Sequence, residues 1–166
     1  MNAKITENQR RDVGERGVLT QKKRKSMTFS ISNKPNEAVF EYLIGEGYRP
    51  KYDADGDVVV KREGKTYAVV FEESDPMYYR VIYPNFWSLD DELEHERALV
   101  AASRVNAKMK CAKILPSAEF RVGANVSATV ELYAVDVDAF IAVLERAFLA
   151  TEAASLAFVK EMRATS

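Results

Sequence analysis

The stretch YRPKYDADGDVVVKREGKTYAVVFEESDPMYYRVIY, residues 48–83, decides the fold. Three turn signals cut it: Asp55-Gly56, Glu63-Gly64-Lys65 and Ser74-Asp75-Pro76. An Asp-Gly pair between apolar runs is a strong hairpin signal, because both residues tolerate positive φ. Asp-Pro likewise favours a turn. The intervening residues follow the two-residue period of a strand. Tyr67, Val69 and Phe71 fall on one face and Ala68, Val70 and Glu72 on the other. Met77, Tyr79, Val81 and Tyr83 then alternate with Tyr78, Arg80 and Ile82. Val58-Val59-Val60 opens the strand before these, and Tyr48–Asp53, weakened by Pro50, precedes it. Turns this short join only antiparallel neighbours.

Working outward, Pro35 suits the first turn of a helix. Val39, Phe40, Leu43 and Ile44 keep helical spacing up to Gly45 and Gly47, which stop it. On the other side, Pro84 and Asn85 end the sheet segment. Ser88, with Asp91 three residues on, predicts the N-cap of a second helix over Leu89–Met109, with Leu89, Leu93, Ala101, Val105 and Met109 as its apolar stripe. Lys113–Val122 reads as a strand interrupted near Pro116. After a turn at Gly123-Ala124-Asn125, Val126, Ala128, Val130 and Leu132 alternate with polar residues, the pattern of a strand buried on one face. Asp136 caps a last helix whose stripe runs from Phe140 through Leu144, Phe148, Thr151, Ser155 and Phe158 to Met162. Val143, Leu149 and Leu156 widen that stripe, so the helix is either broadly buried or turned toward a partner. The expected fold is α+β: an antiparallel sheet of five to six strands packed with three helices, in the order α-β-β-β-β-α-β-β-α.

The chain has 166 residues, the size of one domain with a tail. Residues 1–32 show no sustained apolar period and read as a flexible basic tail, leaving 33–166 as the domain. Met27, where the more domain-like sequence opens, is a second candidate start. Met1–Lys34 holds nine Lys or Arg against three Asp or Glu, about +6, and leaves about −7 for the remainder of a chain of net charge −1. No apolar run approaches the roughly 20 residues of a membrane span. The polar N-terminus lacks the apolar stretch of a secretory signal. A cytoplasmic location is the expectation.

The motifs that suggest chemistry dissolve on inspection. Asp53-Ala54-Asp55-Gly56-Asp57 has its glycine fourth rather than sixth, and Gly64 stands where a calcium loop needs glutamate. His95-Glu96 begins a zinc-protease motif, but Leu99 replaces the second histidine. Glu92, Glu94 and Glu96 around His95 predict a solvated acidic face. Cys111, alone, is expected to be packed at a helix-to-strand junction. No glycine-rich phosphate loop is present in the sequence. No catalytic residue, cofactor or metal is expected, and the chain reads as a binding protein rather than an enzyme. The candidate contact residues are Tyr78, Tyr79 and Tyr83 on the sheet and Leu149 and Leu156 on the last helix. Nucleic acid is the alternative partner, through Lys22, Lys23, Arg24 and Lys25 and an aromatic sheet.

The segment order, together with Leu43-Ile44-Gly45-Glu46-Gly47-Tyr48, Asp55-Gly56-Asp57, Asp75-Pro76-Met77-Tyr78-Tyr79-Arg80-Val81, Val105-Asn106, Lys110, Lys113, Ile114 and Phe158, resembles the YbjN-like family. That family shares the type III secretion chaperone-like fold. The resemblance covers roughly Pro35–Met162 and carries over no catalytic residue. It implies an antiparallel sheet with helices packed against it, often in a homodimer, and binding of a protein or peptide in a regulatory role. Two modes of binding follow: a peptide strand added to a sheet edge, or a helix packed on the last helix.

Overall fold

A computed structural model describes residues 34–164, all within one compact unit, Ile31–Ser166. The tail expected over 1–32, with its Lys22–Lys25 run, lies outside the described residues. The elements run α1 (Pro35–Gly45), β1 (Lys51–Tyr52), β2 (Val58–Arg62), β3 (Lys65–Phe71), β4 (Tyr78–Ser88), α2 (Glu92–Asn106), β5 (Ala112–Pro116), β6 (Asn125–Tyr133) and α3 (Val137–Ala164). This is the expected order and the expected α+β class, with three helices and six strands among the described residues.

The six strands form one antiparallel sheet in the spatial order β1-β2-β3-β4-β6-β5. The end of α1 and the first two hairpin turns have local causes. Gly47 takes φ +90, while the amides of Tyr48 and Gly47 bond back to the carbonyls of Leu43 and Ile44 at 2.9 Å each. That is the paired closure that a left-handed residue allows at a helix C-terminus. In the acidic turn, Asp53 Oδ1 accepts from the amides of Asp55 (3.0 Å) and Asp57 (2.9 Å). The carboxylate that suggested calcium is thus organising backbone. Glu63 (φ +49) and Gly64 (φ +78) make the two-residue turn between β2 and β3.

All three helices pack on one face of the sheet: α3 across β4, β5 and β6, α2 against β5 and α3, and α1 against β2 and α3. The inward residues follow the two-residue period: Val58 and Val60, Tyr67 and Val69, Tyr79 and Val81, Val126, Ala128 and Val130, and Ala112 and Ile114 are all buried. Facing them, α3 inserts Phe140, Phe148 and Phe158. Phe140 stacks on Tyr79 at 4.3 Å, Phe148 meets Tyr67 at 5.0 Å, and Phe158 meets Phe86 and Trp87 edge-on. Thr151 and Ser155 sit in this apolar stripe because their hydroxyls donate to carbonyls three residues back, both at 2.8 Å. The stripe of α3 from Phe140 to Met162 is therefore core, while Leu149 and Leu156, which widen it, are exposed.

Several boundaries differ from the sequence expectation. The fourth strand does not stop at Pro84 but continues to Ser88 through a bulge, where Asn85 takes φ +50 and four steps on β4 match two on β6. A proline without a donor is tolerated in a central strand at such a bulge. Because β4 uses Ser88, α2 starts later and its cap is Asp91, whose carboxylate accepts from Glu94 N at 2.7 Å. Leu89 is buried ahead of the helix, whereas Leu93 is exposed; the buried stripe is His95, Ala98, Ala101, Ala102 and Val105. β5 ends at Pro116, and 117–124 is a loop rather than strand. None of the described helices is long and apolar enough to cross a membrane.

Candidate interaction surface

The period of two separates the candidate tyrosines. Tyr78 lies on the outer face of β4, where it meets Tyr133 edge-on at 5.7 Å. Tyr79 points the other way and is 1% exposed. It cannot touch a partner, and its hydroxyl pKa is raised by burial. Tyr83 shares the inner face, packed between Tyr67 and Phe86. Leu149 and Leu156, one heptad apart on α3, are 53% and 60% exposed. The structure thus does not unite the five residues in one patch: Tyr79 is buried, Tyr78 and Tyr83 are half-buried on opposite faces of the sheet, and Leu149 and Leu156 are exposed on α3.

Two features were hidden from sequence reasoning. One is a charged clamp on the helix side. Arg62 and Lys65, a cross-strand pair closing the β2–β3 hairpin, both point toward α3. Arg62 reaches Glu145 at 3.4 Å and Glu152 at 3.6 Å, Lys65 pairs with Glu152, and Tyr48 donates to Glu145 at 3.4 Å. Arg62 has a side chain only 10% exposed; desolvation opposes its charge, but the Tyr48 hydrogen bond and Glu145 outweigh this and hold its pKa above the ordinary value. Arg62 also lies 3.9 Å from the more exposed Glu63, and the pairs to Glu145 and Glu152 fasten the hairpin to α3. Only the register of β2, β3 and α3 could have revealed it.

The other feature is at the edge of the sheet. Asn106, the last residue of α2, donates to the Ile114 carbonyl at 3.0 Å and accepts from the Ile114 amide at 2.7 Å. Its carboxamide stands where a neighbouring strand would pair, on the side of β5 away from β6. The middle of this edge is therefore plugged, and Pro116 at its end offers no donor. Strand addition on β5 is blocked. Asn106→Ala is expected to leave both Ile114 groups unpaired at a cost of about 1–3 kcal/mol in urea unfolding. It should also give concentration-dependent self-association by sedimentation as the edge opens.

His95 is not on a solvated face. It is 6% exposed, and its Nε2 lies 2.7 Å from the Ser117 carbonyl, holding the β5–β6 loop against α2. Cys111 is exposed rather than packed.

What remains is the outer sheet face, on which none of the three helices lies. Lys51, Val59, Ala68, Ile82, Thr129 and Lys113 form a row crossing all six strands. Thr129 is itself buried, donating to the Val81 carbonyl at 3.2 Å and accepting from Arg80 Nε at 3.4 Å. The next row holds Val70, Arg80 and Glu131, with Glu131 shared between Arg80 (3.9 Å) and Lys113 (3.4 Å). Asp57 borders that row; burial is the main cause raising its pKa, ahead of its acidic neighbours Asp53 and Asp55.

No family model matches the chain, and no curated protein matches it. Solved structures do. The crystal structure of YbjN from E. coli, described as a candidate transcription regulator, superposes with a TM-score of 0.54 at 9% identity, over 75% of this chain and 89% of that one. An uncharacterized protein from Methanothermobacter thermautotrophicus superposes with a TM-score of 0.51 at 12% identity, over 78% of this chain and 99% of that one. At such identities the likeness is one of fold: the chain has a YbjN-like fold.

Proposed function

We propose that this chain is a non-enzymatic protein-binding module with a regulatory role, which works by holding a segment of another protein. The observation that carries this reading is the one-sided sheet. The three helices build the core on one face, and among the described residues no element packs on the other, which has an aliphatic floor and ionic margins. The YbjN-like fold supports it, since the E. coli protein of that fold is described in regulatory terms. The Asn106 plug argues against strand addition at β5 and so favours side-chain docking on the face. The single cysteine fits a reducing compartment such as the cytoplasm. Affinity purification of the full chain from its own cells at low salt, with nuclease present, tests the reading. Recovery of a protein partner in stoichiometric amount is expected. Recovery of nucleic acid alone in a parallel purification without nuclease, or of nothing specific, would contradict it.

A further inference from the structure

We propose that an ordered water molecule is built into the joint between the β2–β3 hairpin and α3, accepting from Tyr67 and Arg62 and donating to Glu152. The bridge goes beyond the binding role and does not depend on it.

Tyr67 is fully enclosed, yet its hydroxyl has no hydrogen-bond partner among the described residues. Arg62 Nη1 and Nε are buried without a hydrogen bond as well. Buried polar atoms in folded proteins are nearly all hydrogen-bonded, to protein or to ordered water. These donors are neighbours. Tyr67 faces Val60 across the hairpin and Arg62 faces Lys65, so the two side chains are diagonal on the inner face of the sheet. Glu152 closes the third side. It lies about one turn of α3 beyond Phe148, whose ring meets Tyr67 at 5.0 Å. Its Oε2 is 3.6 Å from Arg62 Nη1, while its Oε1 is taken by Lys65. A direct charge-assisted bond would measure about 2.7–2.9 Å. Arg62 instead stands 3.4 Å, 3.6 Å and 3.9 Å from Glu145, Glu152 and Glu63. The guanidinium is therefore held among the carboxylates without closing tightly on any of them.

The chemistry of the joint selects water over an ion. An anion would meet Glu145 and Glu152, and a cation would meet Arg62 and Lys65. Burial first, and the Glu152 charge next, raise the pKa of the Tyr67 hydroxyl, so it keeps its proton and can donate. One water accepts from Tyr67 Oη and Arg62 Nη1 and donates to Glu152 Oε2, about the three bonds typical of a buried water. Arg62 Nε, on the other edge of the guanidinium fork, lies outside this bridge. The hairpin fastened in this way carries Val59 and Ala68 on its opposite face.

A crystal structure of the full chain that resolves ordered solvent tests the bridge. A water peak within hydrogen-bond distance of Tyr67 Oη, Arg62 Nη1 and Glu152 Oε2 together is expected. A direct bond from Tyr67 to a protein group, with no peak there, would overturn the proposal. Urea unfolding of Tyr67→Phe gives an independent sign. If the water ties the hydroxyl into the joint, removing the hydroxyl lowers the midpoint. Removing an unpaired buried hydroxyl would instead leave the midpoint unchanged or raise it, and either result counts against the bridge. The wild-type structure needs no variant, so the bridge stays testable should Tyr67→Phe fail to fold.

Discussion

Tyr79→Ala is expected to destabilise the fold by about 3–5 kcal/mol, a large part of the 5–15 kcal/mol typical of a domain. The ring is fully enclosed and stacks on Phe140 of α3 at 4.3 Å with an interplanar angle of 11°. It also meets Phe71 edge-on and pairs in register with Leu132 on β6. Removing it opens a cavity between the sheet and the first turns of α3, where backbone relaxation is limited. Urea unfolding reads the loss as a lower midpoint at constant slope. The matched control is Leu156→Ala, whose side chain is exposed and whose change should stay within about 0.5 kcal/mol. If instead Tyr79→Ala melted like the parent protein, the inward orientation of the β4 tyrosine would be refuted.

The second large effect is expected at Arg62. Arg62→Met keeps the aliphatic stem but removes the cation that neutralises Glu145 and half-neutralises Glu152. Removing one partner of a buried pair costs about 3–5 kcal/mol. Here Glu145 and Glu152 keep 39% and 18% of their side-chain exposure, so solvent screening lowers the expected loss to about 2–3 kcal/mol. Arg62→Met/Glu145→Gln preserves the Lys65–Glu152 pair and restores charge balance. It should recover at least half of the loss. If the double variant is no better than the single one, the cost lies in packing rather than charge.

These two residues show what could be read from sequence. The hairpins were legible because Asp55-Gly56, Glu63-Gly64 and Asp75-Pro76 act locally, through the φ values their residues tolerate. The stripe of α3 was legible because its 3.6-residue period extends over seven turns. Tyr79 itself was in plain view, since alternation puts it with Val81, yet a run of tyrosines suggested one patch where the pleat makes two. Arg62 required knowing that the β2–β3 hairpin closes over Glu145 and Glu152, a contact across more than 80 residues. His95 misled for a local reason. Its sequence neighbours Glu94 and Glu96 sit about 100° away on either side of the helix, while Ala98 and Ala102 share its buried face. Asn106 carried no signal as a helix-terminal asparagine; its role depends on β5 folding back beside α2.

The central claim is that the outer sheet face, and not the outward leucines of α3, meets the partner. Photo-crosslinking decides it most directly. p-Benzoylphenylalanine placed at Ile82, and separately at Leu156, in the full chain within its own cells should yield a protein adduct from position 82 alone. An adduct from position 156 with none from position 82 would contradict the account.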